Sequence, residues 1–511
     1  MSFTESAPPE VRTSAGTVRG GWEDGLAVFR GIPFAAPPVG GLRFAPPAAP
    51  APWDGVRETT AFGPSPPQSS ELAAAFTETG DGDWLSINVW TPNPGLAGLP
   101  VMVWIYGGAY LMGYSGDPAY DGAALARDGI VVVSFNYRVG AEGFASFTGA
   151  PANRGLLDQV AALEWVRDSI AAFGGDPGRV TVFGESAGAG SIAALLVMPR
   201  AAGLFRNAIA QSVPGTYFSP ELAADVAAAH AAELGLPPSV RDLRDVAPGA
   251  LTDATEAIMT TMSGREDRWG PVARTPTPFS PVVDGDVLPC TPWDGLAAGA
   301  ARDVALIAGH NRDEYRLFVS LAGRLGKVTP EEAESALVMF APEPAGYRAA
   351  FPDAPPGVLY EQVQSDWLFR MPSLRLAEAQ AMGGGAAYAY ELTWPSPLAG
   401  GEFGACHALD IPLTLGNLSS EIAGLLIGEP APPDAAVLAA HFRAAWTAMA
   451  ATGDPGWPAY DTVSRTTRTF DVRVTDGPYP EETARRLWEG HRFDALPLLT
   501  GARGDGAASL P

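Results

Sequence analysis

The sequence predicts an α/β protein built on a large, mostly parallel central sheet flanked by helices. Three observations predict it. First, Pro100 to Tyr106, Ile130 to Phe135 and Val180 to Phe183 are continuously apolar or nearly so, as strands covered on both faces are. Second, Gly155 to Ala172 lies between two of these runs and carries Leu156, Val160, Leu163, Trp165, Val166 and Ile170 at helical spacing. Strand, helix, strand in that order reads as a parallel βαβ unit. Third, Val180 to Phe183 runs into Gly184-Glu185-Ser186-Ala187-Gly188, and an Ala-rich helical pattern follows. That is a strand, a sharp turn and a helix around a central serine.

The remaining elements fall into place in chain order. Residues 1–10 read as a disordered lead-in, and residues 11–511 as one domain. Val11 to Phe34 holds two short strands, Thr17–Arg19 and Leu26–Arg30, around the turn Glu23-Asp24-Gly25. Residues 35–67 are rich in Pro and Ala and are expected to be irregular. Leu85 to Trp90 alternates apolar and polar side chains, as a strand with one covered face does. Short strands are predicted at Ala208–Ala210, Val304–Ala308 and Ala386–Leu392, and a helix at Ala435–Ala451. Residues 219–270 and 330–380 carry mostly helical patterns. They are expected to be insertions, about 215–300 and 320–385, that cover the active-site edge of the sheet.

Composition narrows the class. The chain has 511 residues, 47% of them hydrophobic, which is ample for a large core, and a net charge of −24. Such acidity opposes binding to nucleic acid and to anionic membranes. There are two cysteines, Cys290 and Cys406, with no CxxC or other metal-ligand spacing. The first residues lack the basic and apolar segments of a signal peptide, and no apolar stretch is long enough to span a bilayer. A soluble, cytoplasmic, monomeric or weakly self-associating protein is expected. Gly188-Ala189-Gly190-Ser191-Ile192-Ala193 mimics a dinucleotide-binding loop, but the first acidic residue after it is the distant Glu221, so nucleotide binding is rejected.

In the serine turn, side chains two residues either side of Ser186 would collide, so Gly184 and Gly188 are required. The N–H of Ala187 opens the helix and points where an oxyanion would form. A serine hydroxyl needs a base, and the base needs an orienting acid. Of the five histidines, His230 and His441 lie in helical patterns, His310 abuts the candidate acid, and His491 sits in a polar stretch near the end. His407 lies on the loop after the strand Ala386–Leu392, and elimination selects it. For the acid, Asp313 and Glu314 both follow a predicted strand at the edge where active sites collect, and the residues alone leave the choice open. Gly107-Gly108-Ala109-Tyr110, after Trp104-Ile105-Tyr106, offers further N–H donors.

A family resemblance runs from residue 11 to 475. It is carried by Phe29-Arg30-Gly31-Ile32-Pro33-Phe34-Ala35, Leu42-Arg43-Phe44, Asn88-Val89-Trp90-Thr91-Pro92 and Gly107-Gly108-Ala109-Tyr110. Asn136-Tyr137-Arg138, Gly155-Leu156-Leu157-Asp158-Gln159, Ala172-Phe173-Gly174-Gly175-Asp176-Pro177 and Gly184-Glu185-Ser186-Ala187-Gly188 continue it. The chain resembles the type B carboxylesterases, which include bacterial para-nitrobenzyl esterases and the cholinesterases. The resemblance implies an α/β-hydrolase fold and a Ser186–His407–Glu314 triad, which selects Glu314 over Asp313. It implies an oxyanion hole from the N–H groups of Gly108, Ala109 and Ala187. It gives Ser212 and Glu185 supporting positions, Arg138 and Asp158 a buried ion pair, and Tyr110, Leu317 and Phe318 places lining the substrate gorge. The implied reaction is hydrolysis of short- to medium-chain esters through an acyl-enzyme, with no cofactor and no metal.

Departures from the family pattern are visible. Pro66 and Trp84 stand where relatives often place a disulfide. Gly82 stands where relatives place a glutamate that pairs with the arginine matching Arg43. Elevated mobility is therefore expected over 64–84. Cys406, beside His407, is expected to be a buried filler rather than a reactive thiol. The alternatives are a non-catalytic binding protein on the same fold, which would lack a working serine, and an acyltransferase or carbamate hydrolase using the same triad.

Overall fold

The structure is a computed structural model that describes residues 7–68 and 82–499. The described residues contain fourteen strands: β1 Glu10–Arg12, β2 Thr17–Arg19, β3 Gly21–Glu23, β4 Leu26–Pro33, β5 Val56–Glu58, β6 Ser86–Thr91, β7 Leu99–Ile105, β8 Val131–Phe135, β9 Gly175–Glu185, β10 Asn207–Gln211, β11 Ala305–Asn311, β12 Ala387–Leu392, β13 Thr466–Phe470 and β14 Thr475–Pro478. Eleven of them form one sheet in the order β14-β13-β12-β11-β10-β9-β7-β8-β6-β4-β3. From β8 through β7, β9, β10, β11 and β12 to β13 every pairing is parallel, and both ends of the sheet are antiparallel. The continuously apolar runs form its centre: Val101 to Ile105, Val131 to Val133 and Val180 to Phe183 are at most 1% exposed.

Helices clothe this sheet. Ala187–Leu195 packs on β9 and β10, Pro433–Thr452 on β7, β9 and β10, and Met371–Met382 on β11 and β12. The helical stretches predicted in the middle of the chain include Pro220–Glu233 against Pro248–Thr261, and Pro330–Phe340 against Pro356–Ser365. Pro356–Ser365 runs through a π-helical turn, Asp366–Arg370, into Met371–Met382. Arg138 and Asp158 form a fully buried bidentate pair, 2.7 Å from Nη2 to Oδ1, and the Arg138 N–H also donates to that carboxylate. No described helix is long and apolar enough to cross a membrane.

The structure corrects several expectations. The lead-in is ordered by Glu10, where β1 begins: buried Val11 pairs with Val18, and Arg19 bridges Glu10 and Glu58. The stretch 35–67 is not wholly irregular, since Val56–Glu58 pairs with β2. Strands β13 and β14 were not foreseen; β14 is the sheet's edge and β13 lies next to it, and their mostly polar sequences, TTRTF and TDGP, carry no apolar alternation. The expected mobility of 64–84 falls largely on residues 69–81, outside the described residues. Arg43 pairs with Glu142: its Nε and Nη2 both donate to that carboxylate, at 2.9 and 2.6 Å.

Candidate active site

The C-terminal ends of β7, β9, β10, β11 and β12 come into register, and the loops leaving them converge. Gln211 pairs with both Glu185 and Gly309, and Ile105 pairs with Gly184. Ser186 leaves β9 with φ 55° and ψ −125°, a conformation L-residues rarely adopt. It is held there by its N–H donating to Gln211 O at 2.9 Å and its C=O accepting from Gly190 at 2.9 Å. The flanking glycines are required for a reason the sequence did not show. A Cβ on Gly184 or Gly188 would lie 2.4 or 2.0 Å from the carbonyl oxygen of Ile105 on β7. The collision is mainly with the neighbouring strand. From Val180 to Met198 every residue is buried except Ser186.

The Ser186 hydroxyl donates to His407 Nε2 at 2.9 Å. His407 Nδ1–H donates to Glu314 Oε2 at 2.6 Å. The other carboxylate oxygen of Glu314 accepts from the Ser212 hydroxyl at 2.6 Å and from the Asn311 N–H at 2.8 Å. Ser212 follows β10 at φ 60°, which turns its side chain toward Glu314. Of the two adjacent carboxylates, Glu314 reaches the imidazole, whereas Asp313 accepts from the N–H of Ala405 at 2.9 Å. Glu314 and His407 are buried.

Gly107, Gly108 and Ala109 follow β7. A Cβ on Gly107 would approach the Glu185 carbonyl at 2.8 Å and Ser186 Cβ at 3.0 Å, so only glycine lets this turn lie against the serine. Gly108 and Ala109 both have positive φ, 106° and 56°. No described residue accepts a hydrogen bond from the N–H of Gly108, Ala109 or Ala187.

Glu185 is closer to the chemistry than a supporting role implies. Its Oε1 lies 3.1 Å from His407 Nε2, the nitrogen that faces the serine. Burial pushes the Glu185 carboxyl up, against the pull of His407. Burial pushes the His407 imidazole down, but Glu185 and Glu314 outweigh it and hold it above its ordinary value. Cys406 is fully buried, and burial, with the Glu314 charge, pushes its thiol up to about 12, so it stays protonated.

The predicted lining residues separate. Phe318 packs its ring 5.4 Å from that of His407, and Leu317 beside it is half-buried. Tyr110 is 2% exposed, with its ring 4.8 Å from that of Phe144 and its hydroxyl beside Gly190. The positive φ at Ala109 and Tyr110 turns it into the core, so it packs beneath the serine helix instead of lining a gorge. Sequence reasoning missed Phe369. It sits in the π-helical turn and stacks on His407 at 4.2 Å and 28°. π-turns recur at functional sites, but the sequence Asp366–Arg370 reads as ordinary amphipathic helix and gives no signal of one. Of the other histidines, buried His230 contacts Leu251 O and Thr255, and buried His310 contacts Tyr479.

A serine on a strained turn at the C-terminal edge of a mixed, mostly parallel sheet, next to a histidine and a glutamate, defines an α/β-hydrolase. The sequence profile described as the Carboxylesterase family matches residues 7–340. The chain is 37% identical over 494 residues to the para-nitrobenzyl esterase of Bacillus subtilis, covering 93% of this chain and 97% of that one. It is 36% identical over 481 residues to the fumonisin B1 esterase of Sphingopyxis macrogoltabida, covering 89% and 85%. A crystal structure of a Geobacillus stearothermophilus carboxylesterase superposes with a TM-score of 0.82 at 35% identity, covering 94% of this chain and 99% of that one. This chain belongs to the carboxylesterase family and is a carboxylic ester hydrolase.

Proposed function

We propose that the protein hydrolyses small carboxylic esters through an acyl-enzyme on Ser186, with His407 as base and Glu314 as acid. The observation that carries this reading is the continuous chain from Ser186 Oγ to His407 Nε2 to Glu314 Oε2 at 2.9 and 2.6 Å. In the first step His407 Nε2 takes the hydroxyl proton as Ser186 Oγ bonds to the ester carbonyl carbon. The oxyanion of the tetrahedral intermediate accepts from the N–H groups of Gly108, Ala109 and Ala187. His407 then returns the proton to the leaving alkoxide, and the C–O bond breaks. Water, deprotonated by His407, attacks the acyl-enzyme; as the second tetrahedral intermediate collapses, His407 returns that proton to Ser186 Oγ, the Oγ–acyl bond breaks and the acid is freed. Glu314 keeps the imidazole proton on Nδ1 and stabilises the imidazolium, while Ser212 and the Asn311 N–H fix its other oxygen in place.

Phe318 and Phe369 wall the space beside His407 and support a preference for short to medium acyl chains. Both cysteines are free, which agrees with a reducing, cytoplasmic location. The test is an organophosphate probe followed by peptide mapping, with a series of p-nitrophenyl esters of increasing acyl length. Labelling at Ser186, and turnover that declines for long chains, are expected. Folded protein that takes no label at Ser186 refutes the reading.

A further inference from the structure

Asp313 is the carboxylate that the triad leaves unused, and its surroundings give it a task. Its N–H donates to Ala405 O at 2.9 Å, and its Oδ2 accepts from the Ala405 N–H at 2.9 Å. Asp313 thus closes a two-bond bridge between the glutamate loop and the histidine loop, one residue from Glu314 and two from His407. Its second oxygen, Oδ1, is held by Arg316 at 2.8 Å, and Arg316 in turn meets the buried Glu361 at 3.3 Å. Gly404 makes room for this bridge: it has φ 58°, and a Cβ there would lie 2.3 Å from Asp313 Oδ2.

Other bonds join the same loops further along. His407 N–H donates to Glu314 O at 3.2 Å, and Asn311 Nδ2 donates to Cys406 O at 2.8 Å. Neither reaches the start of the histidine loop. There, at residues 404 and 405, Asp313 is the charged anchor, and a hydrogen bond to a charged acceptor is about twice as strong as a neutral one. Without that carboxylate this end of the loop keeps only neutral main-chain bonds, Asp313 N–H to Ala405 O and Ser396 N–H to Gly404 O, and the loosening lies two residues from an imidazole whose working contacts are 2.6 and 2.9 Å long. Misplacement of a reacting group by about 1 Å costs on the order of a hundredfold in rate.

We propose that Asp313 is a positioning residue, which sets the orientation of His407 through the main chain of Ala405 and is itself aimed by Arg316. This rests on the reading of His407 as the base. The geometry separates two adjacent carboxylates into two tasks: Glu314 orients the ring directly, and Asp313 orients the loop that carries it.

The experiment uses the full chain, with working sites counted by organophosphate titration and turnover measured on p-nitrophenyl butyrate. Asp313→Ala is expected to lower kcat per titrated site by tenfold or more while KM stays within about twofold. Asp313→Asn, whose amide oxygen still accepts from Ala405, is expected to recover to within about threefold of the parent. Arg316→Gln releases Oδ1 while leaving both Asp313–Ala405 bonds in place, and it is expected to lower kcat per site about threefold at constant KM. It also serves where Asp313→Ala fails to fold. A merely structural role would reduce the number of titrated sites and leave kcat per site alone. Parental kcat per site in folded Asp313→Ala overturns the proposal, as does Asp313→Asn no better than Asp313→Ala, or parental kcat per site in Arg316→Gln. A parent that neither labels at Ser186 nor turns over the ester overturns the reading of His407 and this proposal with it. A parent that does both beside an equally active Asp313→Ala overturns this proposal alone.

Discussion

Replacing Glu185 by Gln tests the electrostatics at the serine. The change keeps the side chain's shape in a slot where Oε2 already lies 3.0 Å from where a Cβ on Gly107 would sit, and it removes the charge. Glu185 Oε1 is 3.1 Å from His407 Nε2. At an effective dielectric of about 20, two unit charges at that separation interact by about 5 kcal/mol, or about 4 pH units. That is a ceiling, because burial raises the Glu185 carboxyl and keeps part of the population neutral. A shift of about 1–2 units is expected.

The sign follows from the role of the base. In the proposed mechanism His407 must be neutral to take the Ser186 proton, so kcat/KM is expected to rise with pH as the imidazolium loses its proton. Glu185 favours the imidazolium, and its removal therefore moves this acid limb to lower pH. A Gln amide donating to Nε2 would favour the neutral ring and act in the same direction. The imidazolium that forms during acylation also loses a stabilising charge, so the high-pH plateau of kcat is expected to fall about tenfold, equivalent to about 1.4 kcal/mol. The assay is a pH profile of p-nitrophenyl butyrate hydrolysis with titrated sites. An acid limb that stays put, or moves to higher pH, in a variant whose Ser186 still labels refutes the reasoning.

Other outcomes follow from the same geometry. Glu314→Gln keeps the site's shape but loses control of the tautomer, and kcat is expected to fall by roughly 10³–10⁴ with thermal stability retained. Ser212→Ala leaves a buried carboxylate short of one charged hydrogen bond worth about 1.5–3 kcal/mol, and kcat/KM is expected to fall about 10–100-fold. Phe369→Ala removes the ring stacked on His407 and is expected to shift the acyl-length optimum upward in the p-nitrophenyl series while costing about 3–5 kcal/mol in denaturant unfolding. Burial holds His230 down at about 4, against 6.5 for the free side chain. Its lowered folded value means that this site costs nothing above about pH 6.5 and destabilises the fold as pH falls toward 4, by roughly 3 kcal/mol in all. His230→Gln is therefore expected to narrow the gap to the parent, or overtake it, in melting curves taken across that window.

Much of this protein was legible in the sequence because its strongest signals are local. The sheet's centre could be read because strands buried on both faces must be apolar throughout, as Val101 to Ile105 and Val180 to Phe183 are. The serine turn could be read from the glycines two residues either side of Ser186, although it is Ile105 O on the neighbouring strand that requires them. Strands β13 and β14, the last two at one side of the sheet, were hidden, since strands there need no continuous apolar run. What only the tertiary structure decided is what depends on separate loops meeting. Residues alone left Asp313 and Glu314 equivalent; β11 and the histidine loop bring one to Nδ1 of His407 and the other to the Ala405 N–H. The partner of Arg43 proved to be Glu142, 99 residues away. The rings on His407 come from Phe318 and from Phe369, whose place on the imidazole depends on a π-turn that carries no sequence mark. Local pattern fixes an element because hydrogen bonding and burial act along the chain. A site is fixed only when packing sets the distances between chain segments that pattern does not relate.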